Sequence, residues 1–160
     1  MAISGLRRRR ASKHFAMRYF TLSELTHSDT AVRKHIPNVP TLADVAALTA
    51  LVDNVLDPLR LRFGKPILVN SGYRSKELNR VVGGAATSQH VKGQAADITA
   101  ADPRDNATLF RLLYDLLPYD QLIWEKGDDT HPAWIHVSYA PRLRHQCLRY
   151  RNGSYRSFKP

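Results

Sequence analysis

The sequence predicts a single α+β domain in which helices pack on a small antiparallel sheet. Three observations carry this. At 160 residues the chain can bury one sizeable core but not two. A long stretch from Thr41 repeats Leu42, Val45, Leu48, Leu51, Val52, Val55, Leu56 and Leu59 at helical spacing, which defines one buried stripe. Two later segments, Gln121–Glu125 and Trp134–Tyr139, alternate in the manner of strands and are joined by a polar loop.

The elements follow in order. Residues 1–16 read as a disordered basic arm, and 17–160 as the domain, with Met17 a possible natural start. Thr21 and Glu24 have the spacing of a capping box, so a short helix begins there. Pro37 and Pro40 mark a turn before the long helix. Pro58 either kinks that helix or opens its last turns, and Gly64 to Pro66 end it. Ile67–Val69 is a short strand followed by a turn at 71–75. A small helix at 75–82 is closed by Gly83 and Gly84, and Ala95–Thr99 forms the next strand. Asp102, Pro103 and Asp105 supply cap chemistry for a second amphipathic helix, on which Leu109, Leu112, Leu113 and Leu116 share a face.

Composition limits the chemistry. The single cysteine, Cys147, rules out an intrachain disulfide and a cysteine-rich zinc site, so any metal must rest on histidines and carboxylates. A formal charge of +10 points to anionic surroundings: nucleic acid, a membrane surface or acidic envelope polymers. Part of the excess is local, in Arg7 to Arg10 and in Arg142, Arg144, Arg149, Arg151 and Arg156, and these clusters also read as solvated basic surface. The first sixteen residues lack an apolar signal-peptide core, and no stretch approaches the length of a transmembrane helix.

Three motifs carry the chemistry. In Ser88-Gln-His-Val-Lys-Gly-Gln-Ala-Ala-Asp97, His90 and Asp97 lie seven residues apart, with Gly93 allowing the backbone to turn. A carboxylate beside the apolar Ile98 needs a partner or a cation. In Trp134-Ile-His-Val-Ser138, His136 shares a strand face with Trp134 and Ser138. Each motif alone also reads as ordinary structure, a hydrogen-bonded loop histidine or a packed strand histidine. Together, two histidines and an aspartate make a three-ligand set that leaves a fourth zinc position open, the design of a catalytic site. Ser71-Gly-Tyr-Arg-Ser75 is a tight turn presenting Arg74, whose planar fork suits a carboxylate or a developing oxyanion.

These three blocks, in this order, resemble the signature of the zinc D-Ala-D-Ala carboxypeptidase family, which includes envelope carboxypeptidases, dipeptidases and phage endolysins. The small phage and prophage branch is the nearest in pattern, through Phe20-Thr-Leu-Ser-Glu-Leu25 and the Gly83-Gly84 turn. The resemblance covers about residues 19–140. It implies the fold shared with the hedgehog signalling domain, and zinc on His90, Asp97 and His136. It also implies that Arg74 orients substrate or stabilises the oxyanion, and that Ser88 supports the site by hydrogen bonding. Trp134 joins Arg74 and Ser88 as a substrate-binding candidate. The implied substrate is a D-amino-acid-containing peptide of bacterial peptidoglycan, with anionic cell-wall polymers as further partners. A chain without a signal segment would be made in the cytoplasm and reach the wall by phage lysis or on a virion.

The pattern departs at one place. Many family members carry an acidic general base three residues before the last histidine ligand, where this chain has Ala133. Glu125, at the end of the preceding strand, is the first candidate for the base, and His131 the second. The missing acid leaves open a module that binds zinc and peptidoglycan without cutting. Nucleic-acid binding through the arginine-rich ends ranks below both readings, because no base-reading motif accompanies them.

Overall fold

The computed structural model describes residues 17–160, so the basic arm at 1–16 lies outside the described residues. Helix α1 (Leu22–Thr26) starts where the capping box places it: the Thr21 side chain accepts from the Glu24 amide, and the Glu24 carboxylate accepts from the Thr21 amide. The α2 helix (Asp29–Lys34), capped by Ser28, is an addition to the predicted elements.

The long helical stretch comprises α3 (Leu42–Leu51), a wide π turn over Val52–Leu56, and α4 (Asp57–Phe63). Pro58 therefore does not break it. The wider turn precedes Pro58, which sits in the first turn of α4, where its missing N–H is tolerated. Leu48, Leu51, Val52, Val55, Leu56 and Leu59 are fully buried, as their spacing predicts. Leu42 is 90% exposed, because as the first residue of α3 it lies ahead of the stretch that meets the core.

Six strands follow: β1 (Ile67–Ser71), β2 (Ala95–Ala100), β3 (Gln121–Glu125), β4 (Trp134–Ser138), β5 (Gln146–Arg151) and β6 (Ser154–Ser157). Between them lie α5 (Lys76–Val81), capped by Ser75, and α6 (Asn106–Leu116). Asp102 caps the 3-10 turn that leads into α6, whereas Asp105 makes no side-chain cap and instead binds Lys65 at 2.8 Å. The sheet order is β1-β2-β4-β3-β5-β6. The architecture is α+β, as predicted, with one departure from a purely antiparallel sheet: β5 runs parallel to β3. The cause is local. Strand β4 ends beside the beginning of β3, with Val137 opposite Leu122, so a short connection sets β5 down in the direction of β3.

One face of this sheet is covered by helices. Ile98, Leu122, Ile135 and Val137 join Leu48, Leu51, Leu109, Phe110 and Leu113 in a continuous core. The opposite face of the same strands lines a cavity of about 670 Å³. Among the described residues no helix is long and apolar enough to cross a membrane.

Candidate metal centre

Period-two alternation places the site. In the register of the sheet Asp97 on β2 lies opposite His136 on β4, and His136 lies opposite Ile123 on β3. His90 arrives from outside the sheet, on a 3-10 turn (Gln89–Lys92) that Ser88 opens by accepting the His90 amide at 3.3 Å. Gly93 closes that turn at φ +65°, and a Cβ there would meet the Asp44 carbonyl oxygen at 2.4 Å, so the position demands glycine twice over.

The three side chains converge. His136 Nδ1 lies 3.0 Å from Asp97 Oδ1, His90 Nε2 lies 3.3 Å from the same oxygen, and the two ring nitrogens are 3.3 Å apart. A tetrahedral zinc ion with bonds of about 2.0–2.1 Å would set its ligand atoms about 3.3 Å apart. The donor set therefore fits the ion in both element and spacing, and these residues form a group that could hold a metal. Their protonation agrees. His90 Nδ1 is 2.7 Å from the Gly72 carbonyl oxygen, to which it donates, leaving the Nε2 lone pair facing the other two ligands. Gly72 can approach because it has no Cβ: one would stand 2.1 Å from the Leu25 carbonyl oxygen. Burial, with His136 and Arg74 nearby, holds the His90 pKa below its usual value, which favours the neutral ring a metal needs. Burial alone would raise the pKa of Asp97, but the adjacent His90 and His136 hold it well below the carboxylate range.

The other predicted residues separate into two groups. Arg74, Ser88, Glu125 and Trp134 all line the cavity with His90, Asp97 and His136. Arg74 lies 3.8 Å from Asp97 Oδ2, its amide donates to the His90 carbonyl, and its buried Nε has no partner among the described residues. Glu125 is 8% exposed, and its pKa is raised by burial and by Asp97 against the opposing pull of His136, Tyr155 and Lys126. Trp134 lies opposite Glu125 and carries the Lys126 ammonium 5.3 Å from its ring centre. His131 is not among the cavity-lining residues. It sits in the β3–β4 loop, where its ring bonds Thr130 and its amide donates to Asp128.

Sequence reasoning missed two features around the site. Asp120, just before β3, is 2% exposed and accepts from Gln89, from the Arg144 amide and from the Arg144 guanidinium. It thereby ties the His90 turn to the start of β5, and the paired Arg144 pulls its pKa down to about 2. Gln146, Leu148, Tyr150 and Tyr155, from a tail read only as basic, complete the cavity wall. Three arginines of that tail have carboxylate partners: Arg144 binds Asp120, while Arg149 and Arg151 bind Asp129 at 2.7 and 3.0 Å.

Comparison with known proteins agrees with this geometry. A segment of 36 residues is 56% identical to the zinc D-Ala-D-Ala carboxypeptidase of Streptomyces albus G, covering 22% of this chain and 14% of that relative. The family described as Peptidase M15 matches residues 18–138, a span that includes His90, Asp97, His136 and the Arg74 turn. A match over most of the chain, rather than over one motif, shows that the chain belongs to the peptidase M15 family.

Proposed function

We propose that this chain is a zinc-dependent peptidase that cleaves D-amino-acid-containing peptides of bacterial peptidoglycan, as a carboxypeptidase or as an endolysin-type endopeptidase. The observation that carries the reading is the triangle of His90 Nε2, Asp97 Oδ1 and His136 Nδ1 with edges of 3.0–3.3 Å, its His90 tautomer fixed by Gly72. Zinc, when held by these residues, would supply Lewis acidity toward a water and a carbonyl. Glu125 is the general base: it takes a proton from the attacking water and returns it to the departing amide nitrogen, so the peptide bond is exchanged for a new acid and a new amine. Its raised pKa brings it nearer to the neutral range in which such a base works best. Arg74, half-buried and held beside Asp97, offers its fork to the developing oxyanion or to a substrate carboxylate. Ser88 fixes the His90 turn, and Trp134 gives the substrate an aromatic surface beside Glu125. Phage lysis or carriage on a virion is the route to the wall in this proposal.

Ala133 favours a second reading, a zinc-containing module that binds peptidoglycan without cutting. One experiment separates them. Purified chain is incubated with peptidoglycan, with and without chelator, and new termini are identified by mass spectrometry. Chelator-sensitive cleavage is expected, and stoichiometric zinc with no new termini would establish the binding module instead.

A further inference from the structure

We infer that the β5–β6 hairpin forms an extended subsite for about four residues of uncharged peptide on one side of the scissile bond, an inference that rests on the peptidase reading above. The register of the sheet sets its floor. From Asp97 and His136 one cross-strand row continues through Ile123 on β3 to Leu148 on β5. The next row runs from Trp134 through Glu125 and, one position beyond the Trp124–Arg149 pair, to Tyr150 and its partner Tyr155. All of these side chains line the same cavity as the ligands. From β4 to β6 there are three strand spacings of about 4.8 Å, roughly 14 Å in all. An extended chain covers ~3.3–3.6 Å per residue, so this distance holds about four.

The chemistry of the wall selects the occupant. Leu148 and Tyr150 are half-buried, Tyr155 is 54% exposed, and the two tyrosine rings lie 4.8 Å apart. At its other end the floor carries the Gln121–Gln146 amide pair, bonded at 2.7 Å. None of these side chains bears a charge. The arginines of the hairpin alternate away: Arg149 lies over the rings of Trp124 and Phe158, and Arg156 is its cross-strand partner. Just ahead of the hairpin Arg144 also lines the cavity, with its guanidinium held by Asp120, so this basic segment presents a mainly apolar and amide surface, suited to small or apolar peptide residues. Its hairpin residues Gln146, Leu148, Tyr150 and Tyr155 also lie beyond residue 138, where the family match ends.

The test uses the full chain, stripped of metal so that nothing is cut, titrated calorimetrically with D-alanine-containing peptides of two and six residues. The expected result is at least tenfold tighter binding of the hexapeptide, about 1.4 kcal/mol. Tyr150→Ala should remove most of that difference while leaving the dipeptide unchanged, and Leu148→Glu should do the same. Thermal melts identify any variant that fails to fold, and the wild-type length dependence stands without them. Equal affinities for the two peptides, no binding of either, or a length dependence that survives in both folded variants would overturn the subsite. Length-dependent binding by a chain that, once loaded with zinc, cuts no peptide would uphold the subsite and overturn the peptidase reading.

Discussion

On β4, Ile135 and Val137 are fully buried in the helix-covered core, whereas Trp134, His136 and Ser138, each one residue away, belong to the opposite face. Strand β3 repeats the division: Leu122 and Trp124 enter the core, and Gln121, Ile123 and Glu125 line the cavity. The core face gains free energy from each apolar group removed from water. On the cavity face burial acts in the other direction. It opposes the ionisation of Asp97 and Glu125 and the protonation of His90, and the fold carries that cost to keep the groups poised. Stability and chemistry are thus written on alternate residues of the same strands.

Substitutions at neighbouring positions can break or sharpen this division. The largest effect is expected from His136→Ala, which removes one of the three proposed ligands: zinc retention should be lost and turnover should fall about ten-thousand-fold, with the far-ultraviolet spectrum unchanged. Stoichiometric zinc in that variant, measured by atomic absorption, would remove His136 from the ligand set. Glu125→Gln should keep the metal and lower turnover about a thousandfold. Its effect on stability has the opposite sign. An acid whose pKa is raised in the folded chain favours folding below its unfolded value and loses that contribution as pH rises through the folded value. At neutral pH the buried Glu125 carboxylate therefore weakens the fold, and the glutamine variant should melt at a higher temperature. A lower melting temperature would show that Glu125 belongs with the stabilising face. Ile135→Ala, one residue from the ligand, should destabilise the chain by about 3 kcal/mol in a denaturant titration. The fraction still folded should bind zinc as before, and loss of zinc from it would mean that the two faces are not separable.

The division also accounts for what the sequence disclosed. The three residues that converge as a candidate metal group were legible because their spacing survives in one dimension: His90, Gly93 and Asp97 share one segment, and His136 stands in an alternating strand. The two long helices were legible from their stripes, but α2 was not, and the stripes overran the core at both ends: Leu42, first in α3, and Leu116, last in α6, are exposed. The hairpin was hidden by its charge. Gln146 to Arg151 reads as a solvated tail until Asp129 and the rings of Trp124 and Phe158 are seen to receive Arg149, and the first two are distant in sequence. His131 attracted attention as a histidine near a ligand, yet its partners are its own loop neighbours Asp128 and Thr130.

The parallel pairing of β5 with β3 has a consequence for solubility. Without the hairpin, β3 would be a border strand, offering Leu122, Ile123 and Trp124 with an open row of amides and carbonyls to any other chain. The borders that exist instead are poor templates. Strand β6 has only four residues and carries Arg156, while β1 follows Pro66 and has an irregular register between Val69 and Ser71. A chain cut after residue 140 would retain His90, Asp97 and His136 and expose the stretch best suited to self-association.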